Sequence, residues 1–502
     1  MHRRAAMGLC CMVVALLIPF GAMAATFSMA GFDGDESRHE WKTNAFFTRM
    51  EARTGVNFTF EEYTDYAAWQ AAKQRMADTG TMPDVLFKAE LSTREQIELS
   101  QRGLLIDLAP LLAEHAPNLW ALLQQNPEWL AAITLPDGKI VALPTINPLA
   151  AQNAMWINRN WLDALHLAAP TDLDSLRQVL GAFRTGDPNQ NGKADEIPLA
   201  FLGPWDLKFL AHAVGLVAND YNVYREPDGK VGFLPAQDEY FTLLAWLRDA
   251  FRDGLLDPSG FTTADSLRVV SDEKADVQYG ILFGPNPMNL LPYSISEQYE
   301  LLPPLQYEGR QVYRDVNGAL MRGTFAISSA CKDPAALLAW ADILYTSEGA
   351  VEAMAGKAGE DYLLADDGTW TFAGDMQSVS SYILYDLSVY DSGNMPWLFP
   401  MDFYNRFQNQ GIANINRALQ TLSDYTVSPF PAYTLTPAQE DEIAPLQSEI
   451  GRYVDESLAR FVTGEWDIDD PAAVTAYRDG LDKLGLSSFI AFWQTIADGQ
   501  TR

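Results

Sequence analysis

Oxygen-bearing side chains recur at every second position at the start of the stretch Asp187-Pro-Asn-Gln-Asn-Gly-Lys-Ala-Asp-Glu196. A tightly coiled loop can therefore turn Asp187, Asn189 and Asn191 toward one point. Gly192 follows, where the turn must be sharp and a residue without a Cβ is least strained. The backbone carbonyl of Lys193 and the carboxylates of Asp195 and Glu196 can close the shell. Six to eight oxygen ligands suit a hard cation, so calcium is the expected occupant. The loop begins like the motif D-x-[DN]-x-[DN]-G-x5-E, but its twelfth position is Pro198. The acidic pair must stand in for the missing glutamate. The alternative is a surface turn rich in Asn, Asp and Gly that holds no metal. A calcium loop of this kind more often pins a fold than performs chemistry.

Signatures of catalysis are otherwise absent: the chain has no HExxH, GxSxG, Walker loop, GxGxxG or CxxC. His39, His115, His166 and His212 are scattered without metal spacing, and Cys331 has no histidine beside it in sequence. A pair of carboxylates could hydrolyse a glycoside, yet among 66 acidic residues any chosen pair is arbitrary. The aromatic residues are more suggestive. Sugars present C–H faces that lie flat on tryptophan and tyrosine rings, within a cleft of apolar walls and a few placed polar groups. Each tryptophan has core packing as its alternative, and Trp161, Trp246 and Trp340 sit on helix faces that belong to a core.

The chain of 502 residues is too long for one ordinary core, so two large lobes are expected. His2, Arg3 and Arg4, the apolar run Gly8 to Phe20, and Ala22-Met-Ala24 have the anatomy of an export signal cleaved before Ala25. Cys10 and Cys11 lie inside that segment and away from the cleavage site, so no lipid anchor is expected. Cys331 then remains as the one cysteine, which excludes a disulfide-stapled scaffold. Export without an anchor suggests the periplasm. Losing Arg3 and Arg4 leaves 33 basic against 66 acidic residues, a formal charge of −33. Such a surface repels nucleic acid and anionic lipid.

The elements that must position any site follow in order. Strand-like Ala25 to Gly31, a helix over Trp41 to Arg53, alternating Val56 to Tyr63, a helix from Tyr66 to Met76 and a strand over Met82 to Phe87 imply an α/β fold with crossover helices. A largely helical stretch with Pro110, Pro117 and Pro127 leads to a turn at Asp137-Gly138. Thr171, with Asp174 three residues on, reads as a capping box for the helix that delivers the chain to the loop at 187. Later signals are apolar Val277 to Phe283 and Gly323 to Ile327, the helix start Asp333-Pro334, an aromatic-rich region past 376, and Thr436-Pro437 with Gln439 opening a helical C-terminal part.

This order of landmarks resembles the family 1 extracellular solute-binding proteins of carbohydrate ABC importers, in the branch that includes alginate-oligosaccharide-binding proteins. The matching stretches include Thr54-Gly-Val56, Met82-Pro-Asp84, Ala142-Leu-Pro144, Trp156-Ile-Asn-Arg-Asn-Trp-Leu162, the loop Asp187 to Pro198, Tyr345-Thr-Ser-Glu-Gly349 and Phe461-Val-Thr-Gly464. The resemblance implies two α/β lobes joined by crossing hinge strands, the Venus-flytrap arrangement. The first lobe would take 25–143 plus 312–358; the second would take 144–311 plus 359–502 and carry the calcium loop. It also implies a periplasmic binding protein that captures an oligosaccharide by closure and delivers it to a membrane permease, as a monomer and not as an enzyme. Asp187, Asn189, Asn191, Lys193, Asp195 and Glu196 match the family's metal ligands.

Cleft residues vary with ligand, so candidates follow from position alone. Phe32, Asp33 and Lys88 end first-lobe strands, and Gln152 and Asn153 follow a crossing segment. Trp205, Phe283, Asn286, Arg322, Trp397 and Phe403 lie in segments that could face the cleft. The lack of a lipid-attachment cysteine and the strong acidity depart from the branch, and the acidity argues against a polyanionic ligand. A secreted glycosidase or polysaccharide lyase, or a binding protein for a non-carbohydrate solute, is the alternative function.

Overall fold

The computed structural model describes residues 25–34, 40–147, 153–262, 278–287, 290–314, 320–374, 387–389, 394–408, 417–431 and 433–499. The export segment and Gln152 lie outside these residues.

Two sheets organise the chain. The first has the strand order Val56–Tyr63, Ala25–Phe32, Val85–Phe87, Leu320–Ile327, Leu143–Ile146. Its first three strands run parallel, joined by helices Ala45–Thr54 and Tyr66–Thr79, as the sequence alternation predicts. The strand 320–327 returns antiparallel to both of its neighbours. Its register shifts between Met321 and Phe325, where Gly323 sits at φ 70°. A Cβ on Gly323 would lie 2.1 Å from the Leu91 carbonyl oxygen, so the bulge needs glycine. The second sheet has the order Tyr299–Leu301, Ala154–Asn158, Tyr279–Gly284, Ile197–Ala200. Only the last pair is parallel.

Alternation along the second sheet splits its side chains between two cores. Met155, Ile157, Leu199, Ile281 and Phe283 pack with helices Leu173–Thr185, Asp238–Arg252, Pro437–Thr463 and Leu486–Gly499. Trp156, Ala200 and Leu282 point the other way and join the apolar cluster of the first sheet. That cluster centres on Trp340, stacked on Phe47 and Phe325 and edge-on to Phe58. It also takes in Tyr362, Trp370, Trp397, Phe399, Phe403 and Phe407. These residues pack in the first sheet's cluster, whereas the family resemblance implied that everything beyond 358 goes with the second lobe.

Helix starts follow local chemistry. Pro110, Pro117 and Pro127 each stand in the first turn of a short helix, where a missing N–H costs nothing. Thr436 and Gln439 form a full capping box. The box at residue 171 is shifted by one: Asp172 is the N-cap and Ser175 completes the reciprocal bond. The Asp172 carboxylate outcompetes the Thr171 hydroxyl because it accepts from both the amide and the hydroxyl of Ser175.

The chain passes between the sheets at three places. Strand 143–146 leads toward strand 154–158, Tyr313–Arg314 precedes strand 320–327, and Thr426–Val427 precedes helix 437–463. The last two crossings pair in parallel, Tyr313 with Thr426 and Arg314 with Val427. Among the described residues, no helix is long and apolar enough to cross a membrane.

Candidate functional site

A cavity of about 550 Å³ opens between strand 320–327 with helix Thr93–Gln101 and the helices Pro437–Thr463 and Leu486–Gly499. Arg94, in the first turn of helix Thr93–Gln101, and Arg322, on strand 320–327, line one side. Tyr221, Tyr433, Trp493 and the first turns of helix 437–463 line the other. Tyr221 stacks on Trp493 with ring centroids 5.5 Å apart and planes 16° apart, yet it keeps 39% of its surface exposed. Arg94 spans the two sides. Its guanidinium lies 3.2 Å from Glu440 and 2.5 Å from Asp441, and it donates to the Pro437 carbonyl.

A second cavity of about 280 Å³ has Asn219 and Asp220 in common with the first, so the two adjoin at that turn. Its walls are helix Pro204–Lys208, the following 3-10 turn Phe209–Val214 and the crossing residues Tyr313 and Arg314. Arg314 lies 4.4 Å over the Phe209 ring and 2.8 Å from Asp220. Trp205 is 40% exposed and offers the cavity an open indole face. The indole folds back over Gly203, where a Cβ would lie 2.2 Å from the ring.

His212 is buried behind this wall and neutral. Its Nδ1 donates to the Phe209 carbonyl at 2.6 Å and its Nε2 accepts from the Leu305 amide at 3.0 Å. Burial lowers its pKa to about 4. Together the two cavities can hold a flat-faced polar solute, with rings for stacking and amides or charges for hydroxyl groups.

The residues chosen by position divide. Trp205 and Arg322 line the cleft. Asn153 stands at its back, where its amide donates to Asp206 at 2.6 Å and its carbonyl accepts the Tyr313 hydroxyl. Asp33 and Lys88 bind each other at 2.7 Å with no solvent exposure, and Phe32 is buried against Tyr66. Phe283 is buried in the core of the second sheet, and Asn286 is half-buried in the turn after it. Trp397 is fully buried, and Phe403 stacks on Trp370 at 4.3 Å. Sequence reasoning missed Arg94, Asn219, Asp220, Tyr221, Arg314 and Tyr433. Their only local signal is the turn-forming run Asn219-Asp-Tyr-Asn222.

The loop at 187–196 lies remote from these cavity walls in composition, on the turn between helix 173–185 and strand 197–200. It is coiled as expected, with Asp187, Gln190 and Gly192 at φ 46°, 57° and 73°. The Asp187 carboxylate accepts from the amides of Asn191 and Gly192. Asn189, Asn191 and Gln278 donate side-chain amides to Asp195. Burial alone would raise the Asp195 pKa, but these hydrogen bonds and the Lys193 charge hold it below the usual range.

The neighbouring carboxylate behaves differently. Burial, then the charges of Asp195 and Asp187, push Glu196 up, and its Oε1 is buried without a hydrogen-bond partner. A cation would answer that orphaned oxygen, and the donor set is the hard oxygen set calcium takes. Rotating either asparagine amide exchanges its N and O at no steric cost. Among the described residues no three His, Cys, Asp or Glu side chains assemble into a metal group by themselves, so the amide and backbone oxygens are needed.

No family model matches the sequence. The chain is 26% identical over 492 residues to the fructooligosaccharide ABC transporter substrate-binding protein FusA of Streptococcus pneumoniae serotype 4, covering 90% of this chain and 86% of FusA. The structure of FusA in complex with kestose superposes with a TM-score of 0.71 at 25% identity, over 95% of this chain and 99% of that one. An EF-hand mutant of FusA has also been solved. An extracellular solute-binding protein of Bifidobacterium longum subsp. infantis shares the fold with a TM-score of 0.78 at 21% identity, over 95% and 99% of the two chains. The alginate-binding protein AlgQ2 without calcium ion does so at 0.65 and 19%, with the same coverage. Over nearly its full length, the chain is thus similar to the substrate-binding protein of a fructooligosaccharide ABC transporter.

Proposed function

We propose that the protein captures an oligosaccharide between two lobes, holds it unchanged and delivers it to the membrane permease of an ABC importer. The observation that carries this reading is the pair of adjoining cavities, walled by Arg94 and Arg322 on one side and by Trp205, Tyr221 and Tyr433 on the other, with the rings of Trp205 and Tyr221 partly exposed. The likeness to FusA, a fructooligosaccharide-binding protein, supports the same class of ligand. Residues 1–24 would direct export, so that capture takes place in the periplasm by a monomer.

Packing supports a first lobe of 25–146 and the described residues between 320 and 422, with 153–314 and 426–499 as the second. The boundary expected at 358 moves because Tyr362, Trp370, Trp397 and Phe403 belong to the first sheet's cluster. The paired crossings at 313–314 and 426–427 would be the hinge, where small backbone rotations turn one lobe on the other. In the loop, calcium would be held by Asp187, Asn189, Asn191, the Lys193 carbonyl, Asp195 and Glu196. Its contribution there would be structural, offsetting the Glu196 charge that burial and its acidic neighbours disfavour.

Thermal-shift screening against kestose, nystose and other oligosaccharides tests the reading, since a ligand of the native state raises its melting temperature. Trp205→Ala should weaken the affinity for a stabilising sugar by ~1–3 kcal/mol, the range for an aromatic contact anchor, with folding intact. A panel that leaves the melting temperature unmoved, or a sugar recovered in pieces, would refute it.

A further inference from the structure

The charged side chains lining the cleft pair off, with one exception. Arg94 faces Glu440 and Asp441, Arg314 faces Asp220, and Lys208 lies 2.8 Å from Asp455. Arg322 has no carboxylate within ion-pair distance among the described residues. Its side chain makes one long contact, 3.5 Å from Nη1 to the Thr434 hydroxyl. A guanidinium carries five N–H donors in a fixed fork, so this neighbour leaves most of them unused. Strand 320–327 holds Arg322 half-buried at the cavity wall, and burial draws its pKa below the ordinary value. Partial desolvation of a charge is unfavourable unless a counter-charge answers it.

Tyr221 lines the same cavity as Arg322, one face of its ring stacked on Trp493. A ring face for stacking thus adjoins a guanidinium fork that is open toward 550 Å³ of space. Oxyanions that present two oxygens side by side, the planar carboxylate or two of the oxygens of a tetrahedral sulfate, match that fork with two parallel hydrogen bonds. The remaining surface limits how many such groups the ligand can carry, because a chain of formal charge −31 repels polyanions at long range.

Resting on the oligosaccharide reading above, we propose that the natural ligand is an otherwise neutral oligosaccharide bearing one acidic group, seated on Arg322 while the adjoining ring stacks on Tyr221. The acidic group is a carboxylate of a sugar acid or a sulfate ester; both offer the oxyanion that the fork recognises.

A glycan array decides it. It should carry neutral oligosaccharides beside the same oligosaccharides bearing one uronate, one sialate or one sulfate, probed with the wild-type protein, R322Q and R322K. Wild type should prefer one acid-bearing form over its neutral parent by on the order of 100-fold, the scale for a desolvated charge pair. The carboxylate and sulfate arms then identify the group. R322Q should collapse the ratio of acidic to neutral affinity, and R322K should restore part of it. Neutral parents held as tightly as their acidic forms would overturn the proposal and leave the oligosaccharide reading standing, as would a ratio unchanged in R322Q. An array on which nothing is retained would remove both. Should R322Q fail to fold, the wild-type ratio and R322K carry the decision.

Discussion

Replacing Lys88 with methionine should cost about 3–5 kcal/mol of stability, the penalty for stranding one member of a buried ion pair. Lys88 Nζ lies 2.7 Å from Asp33 Oδ1 and 3.1 Å from the Val389 carbonyl, and neither charged side chain is exposed. Methionine fills nearly the same volume, so the loss reports removal of the Lys88 charge from beside the buried Asp33 carboxylate more than it reports a cavity. The pair ties the ends of strands 25–32 and 85–87 to residue 389, and Lys88 stands there at φ 50°. The double variant Asp33→Leu, Lys88→Met should regain most of the stability, because the pair's attraction is largely offset by its desolvation. Urea unfolding of the three proteins measures this. A loss below about 1 kcal/mol in Lys88→Met would mean that water reaches Asp33 and that the pair acts as a surface contact.

Calcium is the second large effect. If the loop binds it, free calcium at 1,000 times the dissociation constant should stabilise the protein by about 4 kcal/mol. Chelation should lower the melting temperature by several degrees and re-addition should restore it. Glu196→Gln removes the carboxylate whose buried oxygen lacks a partner. It should weaken the response to calcium while leaving the calcium-free protein no less stable, since burial and the neighbouring Asp195 and Asp187 already disfavour the Glu196 charge. A melting temperature indifferent to chelator and to added calcium would contradict an occupied loop.

How far the sequence could be read depended on how local each feature is. The 187–196 loop was legible because its donors lie within ten consecutive residues, and the Thr436–Gln439 box because it spans one helical turn. Strand 56–63 announced itself by alternation, and strand 25–32 by a short strand-like run. The cleft did not, since its walls come from residues near 94, 221, 322, 440 and 493 that only the fold brings together. Asp33 and Lys88 illustrate a different failure. A charge at the end of a strand looks the same whether its partner is a solute or the adjacent strand. Trp397 and Phe403 were chosen by position in an aromatic-rich region, but such density also lets rings pack on one another, as Phe403 does on Trp370. Trp161 and Trp340 were placed correctly because their helices show an apolar face, and both are buried.

The most direct test is a crystal structure of the protein grown with an oligosaccharide that raises its melting temperature. The account predicts an intact sugar lying in the cleft, touching Trp205 or Tyr221 of the second lobe and Arg322 of the first. Sugar bound to the outside of either lobe, or electron density for a cleaved product, would contradict it.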